Sequence, residues 1–300
     1  MYSFNSKSPA IGLGDNYINL QYLKFVMITI SSLHIYPIKS LGGIELKSAT
    51  ITQRGLEYDR RWMLVDEKNE FLTQRVYPQM TLLKTGVNEN SITVYHLQNP
   101  GDIIELSLQP AKKETVTVKV WDDYCEAQYA DDNINKWFSE KLGIACKAVY
   151  MPDDSKRKLD RKYALTDDDI TGFADGYPIL LISEASLDDL NSKLETPVPM
   201  DRFRPNIVIT GTEAFAEDSM KHFIINNTNF YGVKLCGRCI ITTTNQQTGE
   251  RSKEPLKTLA TYRTINNKVC FGQNVICVDC GKINIGDELT IIQLKENALS

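Results

Sequence analysis

From Met27 to Ala130 the chain offers almost nothing but short β-prone runs, and that repetition leaves few architectures open to it. Ile28 to Tyr36, Arg61 to Val65 and Ile92 to Leu97 are apolar or alternate apolar with polar residues. Turn clusters at Glu67 to Asn69, Asn88 to Asn90 and Asn99 to Asp102 separate them. Alternation with a period of two sends successive side chains to opposite faces, so such runs are half-buried as strands. Short strands at near-regular spacing predict a barrel or a curled sheet. A helix is predicted next, with Asp131 or Asp132 as its N-cap, Ile134, Trp137, Phe138 and Leu142 on one stripe, and Gly143 just past its end.

Beyond that helix the pattern changes. Between Asp153 and Pro178 the sequence is charged and irregular, and it reads first as a solvated connection between domains and second as a loop lining a site. A buried strand at Ile179 to Ile182 follows, then a helix capped by Ser183 with Leu187, Leu190 and Leu194 facing inward, a strand at Asn206 to Thr210, and further hairpins. The predicted fold is mainly β with some α: an N-terminal barrel-like domain over residues 27–130, a helix and charged connection over 131–177, and a second β-barrel with peripheral helices over 178–295. Residues 1–26 form a weakly patterned extension.

Charge and hydropathy exclude several classes of function. Thirty-four basic against 38 acidic residues give a net charge of -4, so the chain has no bulk positive field with which to neutralise a nucleic-acid backbone. The most apolar stretch near the N-terminus, Phe25 to Ile30, is far short of the ~20 residues that span a bilayer. A cytoplasmic protein that binds neither membrane nor nucleic acid is expected. The histidines are His34, His96 and His222, and zincin, nucleophile-elbow, Walker A and dinucleotide-binding patterns do not occur. His34 and His96 fall within strand patterns and read as structural.

The seven cysteines are unevenly placed: Cys236, Cys239, Cys270, Cys277 and Cys280 crowd the C-terminal part of the chain, while Cys125 and Cys146 lie apart. An odd count without a secretion signal disfavours a disulfide framework. The pairs Cys236-Gly-Arg-Cys239 and Cys277-Val-Asp-Cys280 have the form of two zinc knuckles. Against this, Ile276 to Asp279 continues a strand pattern that would send Cys277 and Cys280 to opposite faces. Leu235 to Thr244 reads differently, as a tight bend entering a hairpin and flanked by Cys236 and Cys239. Arg238 lies between these thiols, and a thiolate there is soft and suits molybdenum, copper, zinc or iron-sulfur.

Six stretches in order resemble the signatures of the MOSC proteins, the molybdenum-cofactor sulfurase C-terminal domain family with its N-terminal β-barrel domain. They are Ile35-Tyr-Pro-Ile-Lys39-Ser40, Tyr58-Asp-Arg60-Arg-Trp62, Phe203-Arg204-Pro-Asn206-Ile-Val-Ile, Cys236-Gly-Arg-Cys239-Ile-Ile-Thr-Thr, Lys253-Glu-Pro-Leu-Lys-Thr-Leu and Phe271-Gly-Gln273-Asn. The resemblance runs from Met27 to about Ile292. It is strongest to the amidoxime-reducing components and their bacterial N-hydroxylated-base reductase relatives. The sulfurase's pyridoxal-phosphate desulfurase domain does not fit in the residues available, so pyridoxal phosphate remains an association at family level.

The resemblance implies a molybdenum-pterin cofactor (Moco) and a role for each matching residue. Cys239 matches the family's metal ligand and so the catalytic centre. Lys39, Ser40, Arg60, Arg204 and Asn206 match cofactor-contacting positions, as do the Gly237 and Arg238 backbone, Asp175 and Gly176. The implied activity is reduction of small N-hydroxylated compounds. A ferredoxin-like domain does not fit after Ile292, so the electrons are expected from a separate protein, ferredoxin-like or cytochrome b5-like with its reductase. The alternatives are a carrier that holds the cofactor or a sulfane sulfur without turnover, with Cys236 as the second thiol of a relay, and a structural zinc protein.

Overall fold

The computed structural model describes residues 27–111 and 115–296, so the extension 1–26 lies outside the described residues. The dominant element is a nine-stranded sheet. Its hydrogen-bonded path runs through Ile44–Leu46, Thr29–Ile35, Ile207–Thr210, Ile179–Ser183, Lys268–Cys277, Thr228–Gly237, Met220–Ile225 and Leu289–Leu294. The end of this path bends back on its beginning. Thr29 bridges Glu288, the Ile30 amide donates to Asp287 at 3.0 Å, and the Leu289 amide donates to Ile28 at 2.8 Å. The sheet is therefore curled and barrel-like, but six of the eight strands on its path lie beyond residue 178, whereas the strand spacing over 27–130 predicts a curled sheet within that half.

Most pairings are antiparallel. The exception is Ile179–Ser183 beside Ile207–Thr210, which run parallel and are joined through helix α2 (Glu184–Asn191). A parallel pair needs such a crossover because its second strand must start from the same end as the first. Ser183 caps this helix by accepting from the Ser186 amide at 3.1 Å. The continuous run Ile-Leu-Leu-Ile is buried on both faces, inside the sheet core of Leu33, Ile51, Leu181, Ile209, Phe223 and Phe230 on one side and the packing of Leu190, Phe203 and Phe271 on the other.

Thr29–Ile35, the first strand among the described residues, lies inside this sheet, and Ser48–Thr52 pairs with Gly281–Asn284 from the far end of the sequence. The rest of the N-terminal half forms two smaller sheets. One orders Trp62–Val65, Lys147–Tyr150, Asp123–Tyr129 and Thr115–Val120, and the other is the meander Leu83–Val87, Ser91–His96 and Asn99–Ser107. Helix α1 (Asp132–Leu142) buries Trp137, Phe138 and Leu142 against them and ends at Gly143 with a φ of 68°. Burying each such side chain contributes roughly 1.5–3 kcal/mol. The third helix, α3 (Leu256–Tyr262), packs Leu259 onto Phe203 and Phe271.

Three local expectations need correction. Asn99 to Asp102 is strand rather than turn, because the two residues Leu97 and Gln98 suffice to reverse the meander. Cys239 enters a 3-10 turn, Ile240–Thr243, before Thr244 bridges Arg251, so the bend does not lead directly into a hairpin. The segment 153–178 is more than a solvated connection: Arg157–Lys158 pairs with Ile170–Thr171, and Phe173 and Ala174 are buried.

Candidate active site

A cleft of about 710 Å³ opens between the main sheet and the N-terminal sheets. Lys39, Ser40, Arg60, Asp175, Gly176, Arg204, Asn206, Gly237, Arg238 and Cys239 all line it. Several chain segments reach it by unusual backbone. Ser40, Arg60 and Arg204 have φ values of 68°, 47° and 55°, in the left-handed region that non-glycine residues avoid. Each such residue costs on the order of 1–3 kcal/mol, and strain of this kind gathers at functional sites.

The arginines are held by their neighbours. Arg60 Nη1 donates to Asp59 at 2.6 Å and to Asn206 Oδ1 at 3.1 Å, and its guanidinium lies 4.5 Å from the Tyr36 ring. Arg204 stacks on the same ring at 4.1 Å and donates from Nη1 to the Leu41 carbonyl at 2.7 Å. Its Nη2 is buried and has no partner, and the same is true of Arg238 Nε. A buried donor without an acceptor costs ~1–3 kcal/mol, so both atoms mark places where an anion would be stabilising. Burial lowers the Arg204 pKa to about 10, with Tyr36 opposing, which leaves the group charged at neutral pH.

Lys39 is buried and spends its ammonium on the Phe173 carbonyl at 2.7 Å and on Asp175 Oδ1 at 2.6 Å. Burial brings its pKa down to about 8, against the pull of Asp175. The Asp175 side chain is 60% exposed, at the mouth of the cleft, and also accepts from Trp121 Nε1 at 3.3 Å. The cleft walls work against its ionisation, but Lys39, Arg75 and Arg60 outweigh them and hold its carboxyl well below the usual range. Asn206 commits both ends of its amide: Oδ1 accepts from Arg60 and the Leu180 amide, and Nδ2 donates to the His34 carbonyl. It fastens the wall.

The glycines read differently from structural ones. A Cβ at Gly232 would come within 2.1 Å of the Met220 carbonyl, so packing dictates that residue. A Cβ at Gly176 would meet nothing within 4 Å, and one at Gly237 only the Lys268 side chain, its Cδ at 3.5 Å and its Cβ at 3.8 Å. The protein's own packing therefore leaves room for a side chain at both cleft glycines, and the bare backbone is open to a close-lying ligand.

The Cys236 thiol receives Arg238 Nη1 at 3.0 Å, while Arg238 Nη2 donates to the Phe203 carbonyl at 2.6 Å. The second Cys-x-x-Cys pair is elsewhere. Cys277 pairs with Phe230, six residues along the same strand from Cys236, about 20 Å at ~3.3 Å per residue. It is buried and bonds the Thr52 carbonyl, so the two pairs cannot share a metal. Among the described residues no group of three or more His, Cys, Asp or Glu is placed to hold one. His34 pairs with Ser32, and His96 accepts from the Gln98 amide.

Family models for the MOSC N-terminal beta barrel domain and the MOSC domain match residues 27–145 and 168–290. The mitochondrial amidoxime-reducing component 1 of Mus musculus is 31% identical over 280 residues, which cover 88% of this chain and 82% of that protein. This chain belongs to the MOSC family. The mitochondrial amidoxime reducing component 2 of Homo sapiens is 31% identical over 243 residues, 78% of this chain and 72% of that protein. The molybdenum cofactor sulfurase of Oryza sativa subsp. japonica is 35% identical over 265 residues, 82% of this chain, yet this MOSC protein spans only 32% of the sulfurase. No helix among the described residues is long and apolar enough to cross a membrane.

The donor set suits the cofactor that the family implies. A thiol, two guanidinium groups with unpartnered buried nitrogens, and two glycines open to the cleft match a soft metal ligand beside an anionic, flat-lying group. Other residues of the MOSC cleft escaped the sequence reading, among them Gln74, Arg75, Tyr177, Lys234, Lys268 and Asn274. Lys234 sits beyond a register shift between Gly232 and Lys234 that breaks simple alternation, and no sequence pattern marks that shift.

Proposed function

We propose that this MOSC protein is a molybdenum-pterin oxidoreductase that reduces small N-hydroxylated compounds, R-NHOH, to the amine and water, consuming two electrons and two protons. One observation carries the reading: Cys239 lines a single cleft together with Arg60, Arg204 and Arg238, and Arg204 keeps a buried nitrogen without a partner. Relatives named as amidoxime-reducing components, matched over most of their length, support it.

When bound, the cofactor supplies a two-electron metal centre able to take up oxygen from an N–O bond. The chain's own residues hold and tune it. Cys239 is the protein's thiolate ligand, Arg60, Arg204 and Arg238 bind the anionic end, and Lys39 with Asp175 closes the wall beside it. Asn206 fixes the Arg60 fork, and Gly176 and Gly237 leave room for close approach. The electrons come from a separate donor protein, ferredoxin-like or cytochrome b5-like with its reductase, and the protein works in the cytoplasm.

The test is metal and pterin analysis of protein made in a host competent for molybdenum-cofactor synthesis, with benzamidoxime reduction followed on an artificial donor. Near-stoichiometric molybdenum, lost with activity in Cys239→Ala and retained in Cys236→Ala, is the expected result. The Arg238–Cys236 contact favours a second reading, a sulfur carrier that uses Cys236, and equal loss in both variants would support that instead.

A further inference from the structure

The cleft lining is strongly positive. Lys39, Arg60, Arg75, Arg204, Lys234, Arg238 and Lys268 line it against one acid, Asp175, in a chain whose net charge is -4. Lys39 has Asp175, Arg60 has Asp59, and Arg204 and Arg238 have carbonyl acceptors. Among the described residues Lys234 and Lys268 form no ion pair, and both belong to the adjacent strands that meet at the Cys236–Cys239 turn.

The surroundings of Lys234 make it more than a surface lysine. It is half-buried, and its ammonium lies 4.1 Å from the Tyr163 ring and 5.8 Å from the Tyr177 ring. These two rings meet edge to face at 6.1 Å. A cation held against aromatic faces keeps its hydrogen-bonding protons for something else. Burial raises the Tyr177 pKa, with Asp160 and Tyr163 adding to it, so its hydroxyl stays protonated as a donor. Lys268 is exposed at the cleft lining, and its side chain lies along Gly237.

We infer that Lys234 and Lys268, with Tyr177, form a subsite for an anionic substituent on the substrate, so that the preferred substrates are N-hydroxylated compounds bearing a carboxylate or a phosphate on a flat ring. This rests on the proposed function for the reaction, and it adds the substrate class. Tyr177 supplies an aromatic face on the cleft lining, and the lysines supply the counter-charge. A small ligand fits better than an acidic protein because Lys234 is half-buried on the lining of a concave cleft.

The decisive comparison uses molybdenum-loaded wild type and the double variant Lys234→Gln/Lys268→Gln. Calorimetric binding of benzoate, phenyl phosphate and benzamide is measured first. Reduction of 4-carboxybenzamidoxime and benzamidoxime follows, with an artificial electron donor. Wild type should bind at least one anion about tenfold or more tighter than benzamide, the effect of one charge-assisted hydrogen bond. The tighter of the two anions identifies carboxylate or phosphate as the group taken. The kcat/KM ratio of charged to neutral amidoxime should fall by a similar factor in the variant, and in wild type as salt is raised.

Equal binding of charged and neutral ligands, or a preference that survives in the variant, would overturn the subsite. Molybdenum lost from the variant would assign the lysines to the cofactor, and an effect confined to assays with a protein donor would assign them to docking. Anion preference without reduction of either amidoxime would sink the proposed reaction and leave the subsite standing.

Discussion

Arg204 shows how much one side chain decides here. Its backbone is left-handed, its ring partner is buried, and one of its nitrogens has no acceptor, so its conformation carries a cost that a bound anion would offset. Arg204→Ala should therefore lower molybdenum content sharply while the thermal midpoint of the cofactor-free protein changes little. Full occupancy in that variant would show that the residue is not a cofactor ligand. Gly237→Ala should act in the same direction, since its Cβ meets only Lys268 within the protein and would instead stand where the ligand approaches. Lys39 adds a pH signature. Its folded pKa of about 8 lies below the ordinary 10.5, so between those values the unfolded chain holds the proton more tightly. Its contribution to stability therefore rises as pH climbs from about 8 toward 10.5, and the charge it offers an anion fades over the same range. The difference in denaturation free energy between wild type and Lys39→Met, measured at pH 7.5 and pH 10, should grow in favour of wild type, and phosphate affinity of the cofactor-free protein should fall above about pH 8. A flat difference across that range would mean that burial does not govern this lysine.

Among the elements, the irregular segment after Tyr150 depends on Arg157. Its Nη1 donates to the Gly172 and Ala174 carbonyls at 3.1 and 2.5 Å, Nη2 reaches the Asp175 carbonyl at 3.2 Å, and Nε pairs with Asp123 at 2.8 Å. One buried guanidinium thus sets the path that carries Asp175 to Lys39. Arg157→Ala should destabilise the fold by roughly 1–3 kcal/mol and reduce cofactor retention, and Arg157→Lys should not rescue it, because an ammonium cannot span three carbonyls. Hydrogen exchange confined to residues 170–177 would locate the damage, and unchanged protection there would refute the assignment. This segment also shows where the sequence was legible and where it was not. Helix α2 carries its Ser183 cap openly and α1 its apolar stripe and its Gly143 stop, although Leu194 lies past the end of α2 at Asn191 and Asp131 makes no side-chain capping bond, and Trp62–Val65 and Ile179–Ser183 announce themselves as apolar runs. Ile170, Phe173 and Ala174 are buried among acidic neighbours, and no periodicity marks them because a single distant arginine organises their backbone. The family motifs bring Arg60, Arg204 and Cys239 to mind in advance, but not Lys234, whose direction depends on a register shift, nor the left-handed backbone of Ser40 and Arg60, which tertiary packing imposes.

Across the whole molecule the two halves of the chain are interleaved. Thr29–Ile35 sits within the main sheet beside Ile207–Thr210, and Ser48–Thr52 pairs with Gly281–Asn284. A fragment ending at Asp279 loses the partners of two strands and exposes Ala49 and Ile51, so it should lack a cooperative thermal transition; a sharp one would mean that these pairings are dispensable. The same interleaving reaches the cleft, whose lining begins at Lys39 and ends at Asn274. During synthesis at roughly 5–20 residues per second, on the order of ten to fifty seconds separate the emergence of those two residues from the ribosome. Throughout that interval the nascent chain has basic side chains but no cradle in which to place them. On the proposed function, loading would then be a step after translation, and a released chain that meets no anion would keep its guanidinium nitrogens without an acceptor.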